Sequence, residues 1–502
     1  MSPQNQSGKS GSASETLTGW LIYQDYERIS ALFIRLLGII YLIAFASLLV
    51  QIQGLVGSRG ILPVADLLSY VSTEAGSARY YRLPTIFWFD HSNLALVGAT
   101  LYGCVVSLQI IFNRWQRPAL ILAFVLYLSL FNVCQPFLHF QWDGLLLEAG
   151  FLAIFLGSGS SIIIWLMRWL LFKLRFMSGL SKLVSGDPAW SGLTALNTYF
   201  EVQPLPNPLA WYVHQLPEWL LRSATAATLF IEIIVPFMMF MPRRWRFAAA
   251  WITIFWQLLI IFTSNHNWIN LLTIALCLFL FDDKALRRVT PGIIRVPRLH
   301  QPVLSGLAGR LSSFAISVMA VFILVISFAQ LWVLSTGTAV GGHLQTVLEH
   351  MESYRVVNMY HVFPTMTTER IELEISGSSD GQEWKPYRFK YRPEELDQRP
   401  QLIMPHQPRL DWQMWFVTLS SKHLPWFEEL LYTLLLESHD VDQLLQHNPF
   451  PEQPPRFIRV DAYRYTFTTP EQRAQTGHWW QREALGPFLP MPGVMRTSED
   501  DK

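Results

Sequence analysis

Long apolar blocks separated by short polar connections occupy residues 31–335 of the chain. A membrane-spanning helix requires about 20 consecutive, mostly apolar residues. Seven blocks have this character by themselves: 31–50, 94–112, 119–134, 223–241, 247–263, 268–281 and 313–335. The block at 144–180 is too long for one span, and GSGSS at residues 157–161 interrupts it. We predict two helices there, 144–157 and 160–180, and therefore nine spans.

The alternative has eight spans, with residues 165–183 lying on the membrane surface as a basic amphipathic helix. Loop charge discriminates between the two schemes, because Lys and Arg concentrate on the cytoplasmic side. With nine spans, three basic connections fall on one face of the membrane: 114–117, 243–246 and 284–310. Two connections without Lys or Arg, 135–143 and 264–267, fall on the other face. We therefore favour nine spans, a cytoplasmic N-terminus and a non-cytoplasmic C-terminal domain.

Beyond residue 336 the pattern changes from apolar blocks to alternation. RIELEISGSSDGQEWKPYRFKY, residues 370–391, alternates on either side of SSDGQ and predicts a β-hairpin. PRFIRVDAYRYTF, residues 455–467, predicts another strand, and LDWQMWFVTL and PWFEELLYTLLL predict helices. The fold class is thus a polytopic α-helical membrane protein with a soluble, β-rich α+β domain at the C-terminus. We divide it into a disordered or amphipathic tail, the bundle, the soluble domain and a second tail: 1–30, 31–335, 336–485 and 486–502.

Composition agrees with a membrane protein. The 502 residues are 51% hydrophobic and 15% charged, whereas soluble domains carry about a quarter charged residues. A net charge of +1 argues against a nucleic-acid partner, which requires a basic face. Cys104, Cys134 and Cys277 all fall inside apolar blocks, so neither a disulfide framework nor a Cys-based zinc site is available. We predict no metal and no cofactor.

Two acids begin the fourth span, in the stretch FQWDGLLLEAGFLAIFL. Asp143 either caps the helix, where the helix dipole favours an acid, or faces a polar pocket. Glu148 lies a full turn further in, where an ionised side chain needs a partner. Arg35 in the first span, or a basic residue of the fifth span, would supply one. These acids form either a structural ion pair or part of a functional site.

A basic stripe runs along the fifth span. Arg168, Arg175 and Lys182 recur every seven residues in WLMRWLLFKLRFMSGLSKL, which places them on one side of the helix. Because the fourth and fifth spans run antiparallel, Asp143 or Glu148 would reach the level of Lys182. We predict a shared polar pocket with these members: Arg35, Asp143, Glu148, Arg175 and Lys182. Lys182 is the one candidate catalytic residue.

In the soluble domain, PHQPRLDWQMWF at residues 405–416 is predicted to meet either the bundle or a client protein. Arg409 and Asp411 are two residues apart and do not face each other on a helix, so each should have its own partner. Trp412 and Trp415 are of the type that anchors protein interfaces. The alternative is that both tryptophans fill the domain's own core.

Several long segments resemble the lipase maturation factor family, in the family's order and over nearly the whole chain from about residue 30. They are QWDGLLLEAGFLAIFL, QPLPNPLAWYVHQLPEW, NWINLLTIALCLFLFDD, PHQPRLDWQMWF and NPFPEQPPRFIRVDAYRYTFT. The resemblance implies a membrane protein of the endoplasmic reticulum that helps secreted lipases reach their active dimeric form, with its C-terminal domain in the lumen. The missing lumenal cysteines and the short N-terminal tail lead us to expect a bacterial member, in an inner membrane.

A second resemblance covers only the bundle. RFMSGLSKLVSGDPAW is similar to the segment of vitamin K-dependent γ-carboxylases that carries a lysine base, and Lys182 takes that position. The two resemblances imply two alternative functions. The favoured one is a membrane-embedded maturation factor, without enzymatic activity, whose partners are the bilayer and a secreted client such as a lipase. The alternative is an integral-membrane enzyme acting on a lipid-soluble or small substrate in a cavity lined by Arg35, Glu148, Arg175 and Lys182.

Overall fold

The computed structural model describes residues 26–289, 299, 306–436 and 438–488. The first tail, except for its last residues, and nearly all of the second tail lie outside the described residues. Helices of at least seven residues are numbered here in chain order. They are α1 Glu27–Leu49, α2 Val64–Ala75, α3 Asn93–Ile111, α4 Gln116–Val133, α5 Gln141–Ala153, α6 Ser161–Val184, α7 Ala195–Val202, α8 Pro208–His214, α9 Glu218–Ile233, α10 Arg243–Thr263, α11 Trp268–Leu276, α12 Asp283–Val289, α13 Gly306–Thr336, α14 His343–Glu352, α15 Arg409–Val417, α16 Leu424–Leu435 and α17 Pro470–Thr476.

The apolar blocks form a helical bundle. Within the described residues, five helices are long and apolar enough to cross a membrane: α1, α3, α4, α10 and α13. The other four blocks are helical too, although α5, α9 and α11 are shorter and α6 carries four cationic side chains. The chain is therefore an α-helical membrane protein, and five of the nine predicted spans meet both requirements of length and hydropathy.

The block at 144–180 divides close to the GSGSS sequence, since α5 ends at Ala153 and α6 begins at Ser161. Gly159 adopts a left-handed conformation there, with a φ of 72°, which glycine accommodates without a steric penalty. Helix α6 packs against α9 on one side and α13 on another. Its four cationic side chains are all buried, so α6 belongs to the interior of the bundle and does not lie on its surface.

The described residues of the C-terminal region form two antiparallel sheets. The strands are β1 Arg370–Ser378, β2 Lys385–Pro386, β3 Arg388–Phe389, β4 Leu445–His447, β5 Phe457–Phe467 and β6 Trp480–Pro487. A four-stranded sheet has the order β2-β1-β5-β6, and a two-stranded sheet pairs β3 with β4. The predicted hairpin is present only as a short pairing of β1 with β2, because the next residues of its second half form β3 and pair with β4. The predicted strand at 455–467 is β5, whose residues 457–465 pair with the whole of β1.

A continuous apolar core joins the bundle to the C-terminal region. It includes Leu145 of α5, Ile375 of β1 and Trp426 of α16, each almost fully buried. Burial of this apolar surface favours one fixed arrangement of the two parts. The polar groups at the junction are therefore excluded from water and must find partners inside the protein.

Candidate functional site

The junction between bundle and C-terminal region is built around one ion pair. Asp143 lies in the first turn of α5, Arg409 is the first residue of α15, and both side chains are fully buried. Two parallel bonds join them, from Nη1 to Oδ2 at 2.7 Å and from Nη2 to Oδ1 at 2.9 Å. This fork geometry makes the strongest type of charge-assisted hydrogen bond. Tyr127 of α4 also donates to Asp143, at 2.5 Å.

Arg409 has further partners on other parts of the bundle. Its guanidinium donates to the Phe137 carbonyl at 3.1 Å and lies over the Trp268 ring, 5.2 Å from the centroid. Its backbone N–H donates to Gln51 at 2.7 Å. A single arginine of the C-terminal region thus contacts three bundle segments that are far apart in sequence. The segment predicted at 405–416 meets the bundle here.

Glu148 forms the second polar connection across the junction. Its carboxylate accepts from Lys173 of α6 at 2.6 Å, and from the Tyr360 hydroxyl and the Asn358 backbone N–H at 2.8 Å each. Glu148 follows Asp143 by five residues, which is a rotation of about 140° around a helix. The two acids therefore face different neighbours, and both hold the C-terminal region against α5.

The predicted pairing of Lys182 with Asp143 or Glu148 is wrong. Lys182 pairs with Glu232 of α9 at 2.8 Å, and Arg175 approaches the same carboxylate at 3.2 Å. The cause is helical geometry: Lys173, which does pair with Glu148, precedes Lys182 by nine residues, about half a rotation around α6. Arg175 and Lys182 of the basic stripe face Glu232 of α9, and Lys173 on the opposite side of α6 faces α5.

The five residues of the predicted pocket therefore do not form one cluster. Arg35 is half-buried and has no ion-pair partner among the residues that the structure describes. Arg168, at the other end of the stripe, donates to the Phe279 carbonyl at 2.9 Å. In the part of the chain that the structure describes, Glu148 pairs with Lys173 whereas Arg175 and Lys182 pair with Glu232, so these side chains do not share the one polar site that the enzyme alternative requires.

The other members of the 405–416 segment have distinct surroundings. Asp411 stays within the C-terminal region and accepts from the Tyr391 backbone N–H at 2.8 Å. Its burial raises the pKa of the carboxyl to about 6. Trp412 packs edge-to-face on Trp142, with centroids 5.2 Å apart, and Trp415 donates to the Val202 carbonyl at 2.8 Å. Both tryptophans thus contact the bundle, and Arg409 and Asp411 have separate partners.

Sequence reasoning missed several residues that complete the junction. Arg370, at the start of β1, is fully buried and donates to the backbone carbonyls of Gln203 and Pro204. Asn267, in the connection before α11, donates to the Gln407 side chain at 2.7 Å. Asn267 lies between two aromatic residues and Arg370 begins an alternating strand, but nothing in either local pattern identifies a partner more than 100 residues away.

A cleft of about 870 Å³ opens beside this junction. Eight Phe, Trp and Tyr side chains line its wall: Phe131, Phe140, Trp142, Tyr360, Phe363, Trp412, Trp415 and Phe416. Four histidines also line it: His139, His266, His361 and His423. Burial lowers the pKa of His139 and of His266 to about 4, so both imidazoles are neutral at pH 7.

In the part of the chain that the structure describes, no three His, Cys, Asp or Glu side chains are grouped so that they could hold a metal ion.

Comparison with known proteins covers both parts of the chain. A model of the lipase maturation factor transmembrane domain matches residues 28–288, and a model of the lipase maturation factor C-terminal domain matches residues 356–490. Lipase maturation factor 2 of Xenopus tropicalis is 34% identical over 90% of this chain and 80% of its own length. Lipase maturation factor 2 of Homo sapiens is 32% identical over 91% and 82%. Lipase maturation factor 1 of Mus musculus is 33% identical over 91% and 86%.

No solved structure matches the chain. The three relatives are vertebrate proteins and give no support to the expectation of a bacterial member. Neither the matched models nor these relatives are γ-carboxylases, so the carboxylase-like alternative is not supported.

Proposed function

This chain belongs to the lipase maturation factor family, and we propose that it assists the maturation of secreted lipases from within the membrane of the endoplasmic reticulum. The lipase client is carried over from the names of the relatives. The structural observation that supports the proposal is the junction. Two buried acids of one bundle helix, Asp143 and Glu148, hold the C-terminal region at a fixed position. A maturation factor of this design presents a rigid domain to its client at the membrane surface.

The finer topology is part of the same proposal. We place nine spans across the membrane, with the N-terminus in the cytoplasm and the C-terminal domain in the lumen. The distribution of basic connections supports this orientation. The buried positions of the cationic side chains of α6 support counting α6 among the spans. A reporter fused after Lys502 tests it: we expect activity only from a reporter that works in the lumen. A fusion active only in the cytoplasm contradicts the nine-span scheme.

The residues of the 405–416 segment are proposed to position the domain and not to touch the client. Arg409, Asp411 and Trp412 are buried, and Trp415 is half-buried against the carbonyl of Val202. A client would have to separate bundle and domain to reach them. Client contacts are therefore expected on the exposed faces of the C-terminal domain.

Crosslinking in native membranes, followed by mass spectrometry, tests the proposed client. We expect secreted lipases to crosslink to peptides of the C-terminal domain, within residues 356–490. A tagged membrane protein of similar size that lacks this domain serves as the control. If lipases are no more enriched than in that control while both are equally abundant, the proposal of a lipase client fails.

A further inference from the structure

We propose that the cleft beside the junction is a binding site for a long-chain fatty acid, which goes beyond the maturation of client proteins. Its volume of about 870 Å³ lies within the range of about 300–1,000 Å³ that is typical of small-molecule pockets. One acyl chain fits within such a volume. The wall of aromatic side chains provides the apolar contact that an acyl chain requires.

The charge of the wall selects an anionic head group. Among the residues that the structure describes, thirty line the cleft, and neither Asp nor Glu is among them. Within that described lining, Arg355 is the one residue that is always charged. Its guanidinium packs over Phe131, 4.8 Å from the ring centroid, and Glu352, which is largely exposed, approaches it at 3.3 Å. A carboxylate in the cleft would therefore meet a cation and no acid of the wall.

Unpaired polar atoms in the wall fit an acceptor ligand. Four buried side-chain atoms of lining residues have no hydrogen-bond partner within the described part of the chain: Trp142 Nε1, Arg355 Nε, Thr367 Oγ1 and Gln413 Oε1. Two of these atoms only donate, the hydroxyl does either, and Gln413 Oε1 accepts. Trp142 is more than nine-tenths buried, so water does not readily satisfy its N–H. A carboxylate, which accepts through both oxygens, complements Trp142 Nε1, Arg355 Nε and the Thr367 hydroxyl, whereas Gln413 Oε1 finds no donor on it.

The location of the cleft gives the acyl chain a route from the bilayer. Leu67 of α2 and Leu83 line the cleft, and both are half-buried. The same segment exposes Tyr70 and Tyr80, with 66% and 55% of their surface accessible. Exposed tyrosines of this kind concentrate at membrane–water interfaces. A fatty acid lying in the interface would thus reach the cleft with its chain leading and its carboxylate near the aqueous side.

The test uses the full-length protein in phosphatidylcholine nanodiscs and a palmitic acid analogue that carries a diazirine. After illumination, we expect labelled peptides from residues 359–367 and 412–423. Excess palmitate should displace the label, and excess methyl palmitate, which has the same chain without the charge, should displace it much less. Equal displacement by the two competitors overturns the anionic part of the proposal. If excess palmitate does not displace the label, the proposed fatty-acid site is wrong. It is also wrong if only a lipase-derived peptide displaces the label.

A matched pair of variants tests the role of Arg355. Arg355→Met should weaken palmitate binding by about tenfold or more, the size expected for loss of one charge-assisted hydrogen bond, and should leave methyl palmitate unaffected. Arg222→Met is the control, because Arg222 also pairs with a nearby glutamate, Glu218, on the same helix but is exposed and does not line the cleft. Unchanged palmitate affinity in a folded Arg355→Met protein contradicts the proposal. If that variant does not fold, the comparison of palmitate with methyl palmitate on the unmodified chain still decides.

Discussion

Replacing Arg409 by methionine removes one half of an ion pair whose two side chains are both fully buried. The Asp143 carboxylate would keep the Tyr127 hydroxyl bond at 2.5 Å but would lose its two bonds to the guanidinium. Removing one partner of a buried pair costs about 3–5 kcal/mol, because an uncompensated charge remains. This free-energy cost corresponds to an equilibrium constant for opening of the junction that is on the order of 100-fold or more larger than in the unmodified chain.

Hydrogen–deuterium exchange in detergent measures this opening directly. Protection of backbone amides at residues 405–417 should fall in Arg409→Met by that factor, while amides inside α1 and α3 should change little. Adding Asp143→Asn should restore part of the protection, because the unpaired charge is then absent, so the two effects are not additive. The protection in Arg409→Lys should lie between that of the unmodified chain and that of Arg409→Met, because lysine keeps the charge without the fork geometry.

A matched control is available in the same domain. Arg464 pairs with Glu369 and Glu483, but all three side chains are substantially exposed, and surface pairs contribute little to stability. Arg464→Met should therefore leave the protection of residues 405–417 unchanged. If Arg409→Met exchanges no faster than Arg464→Met, the junction does not depend on this ion pair and the reasoning is refuted.

Three further predictions follow from other buried groups. Glu232→Gln should lower the thermal unfolding temperature more than Lys182→Met, because it leaves two cations unpaired whereas the lysine variant leaves Glu232 with its second partner; equal shifts would contradict this. Tyr360→Phe removes one bond to Glu148 and should cost about 1.5–3 kcal/mol, as for hydrogen bonds to charged groups; an unchanged free energy of unfolding would show that the bond contributes nothing. Burial raises the pKa of Glu394 to about 7, so the folded state holds that proton more tightly than the unfolded chain, and stability should fall by up to about 3 kcal/mol as pH rises from 4.5 through 7. Glu394→Gln should remove the Glu394 contribution, so that stability measured by thermal unfolding falls less between pH 5 and 8 than in the unmodified chain. The same slope in both proteins would assign it to other groups.

The helices of the bundle were predictable from hydropathy, because each span requires about 20 mostly apolar residues that are consecutive in the sequence. The helix boundary between α5 and α6 and the strands β1 and β5 were also predictable, because turn residues and alternation are local signals. The partner of each buried charged side chain was not predictable from the sequence. Lys173 and Lys182 lie on the same helix, and sequence spacing alone does not tell which side faces α5 and which faces α9. The seven-residue spacing indicated Lys182 as the partner of the acids and gave no indication of Lys173, which pairs with Glu148 in the structure.

The candidate site was predictable only in part, for the same reason. The segment at 405–416 could be singled out by its aromatic and charged residues, but the bond from Arg409 to Asp143 spans 266 residues. The cleft has no sequence signature at all, because its wall is assembled from the ends of α4 and α5, the connection after α14, and the α15 region. Such a surface exists only after the C-terminal domain has packed on the bundle.

The central claim is that this chain supports lipase maturation through a domain held rigidly on its bundle. The most direct measurement is the activity per mass of a lipase secreted by cells that lack their own lipase maturation factor and instead express this chain. We predict that the unmodified chain and Arg464→Met raise this specific activity above that of cells with an empty vector, and that Arg409→Met at equal membrane abundance does so much less. Specific activity that stays at the empty-vector level, while the unmodified chain is present in the membranes, would contradict the account.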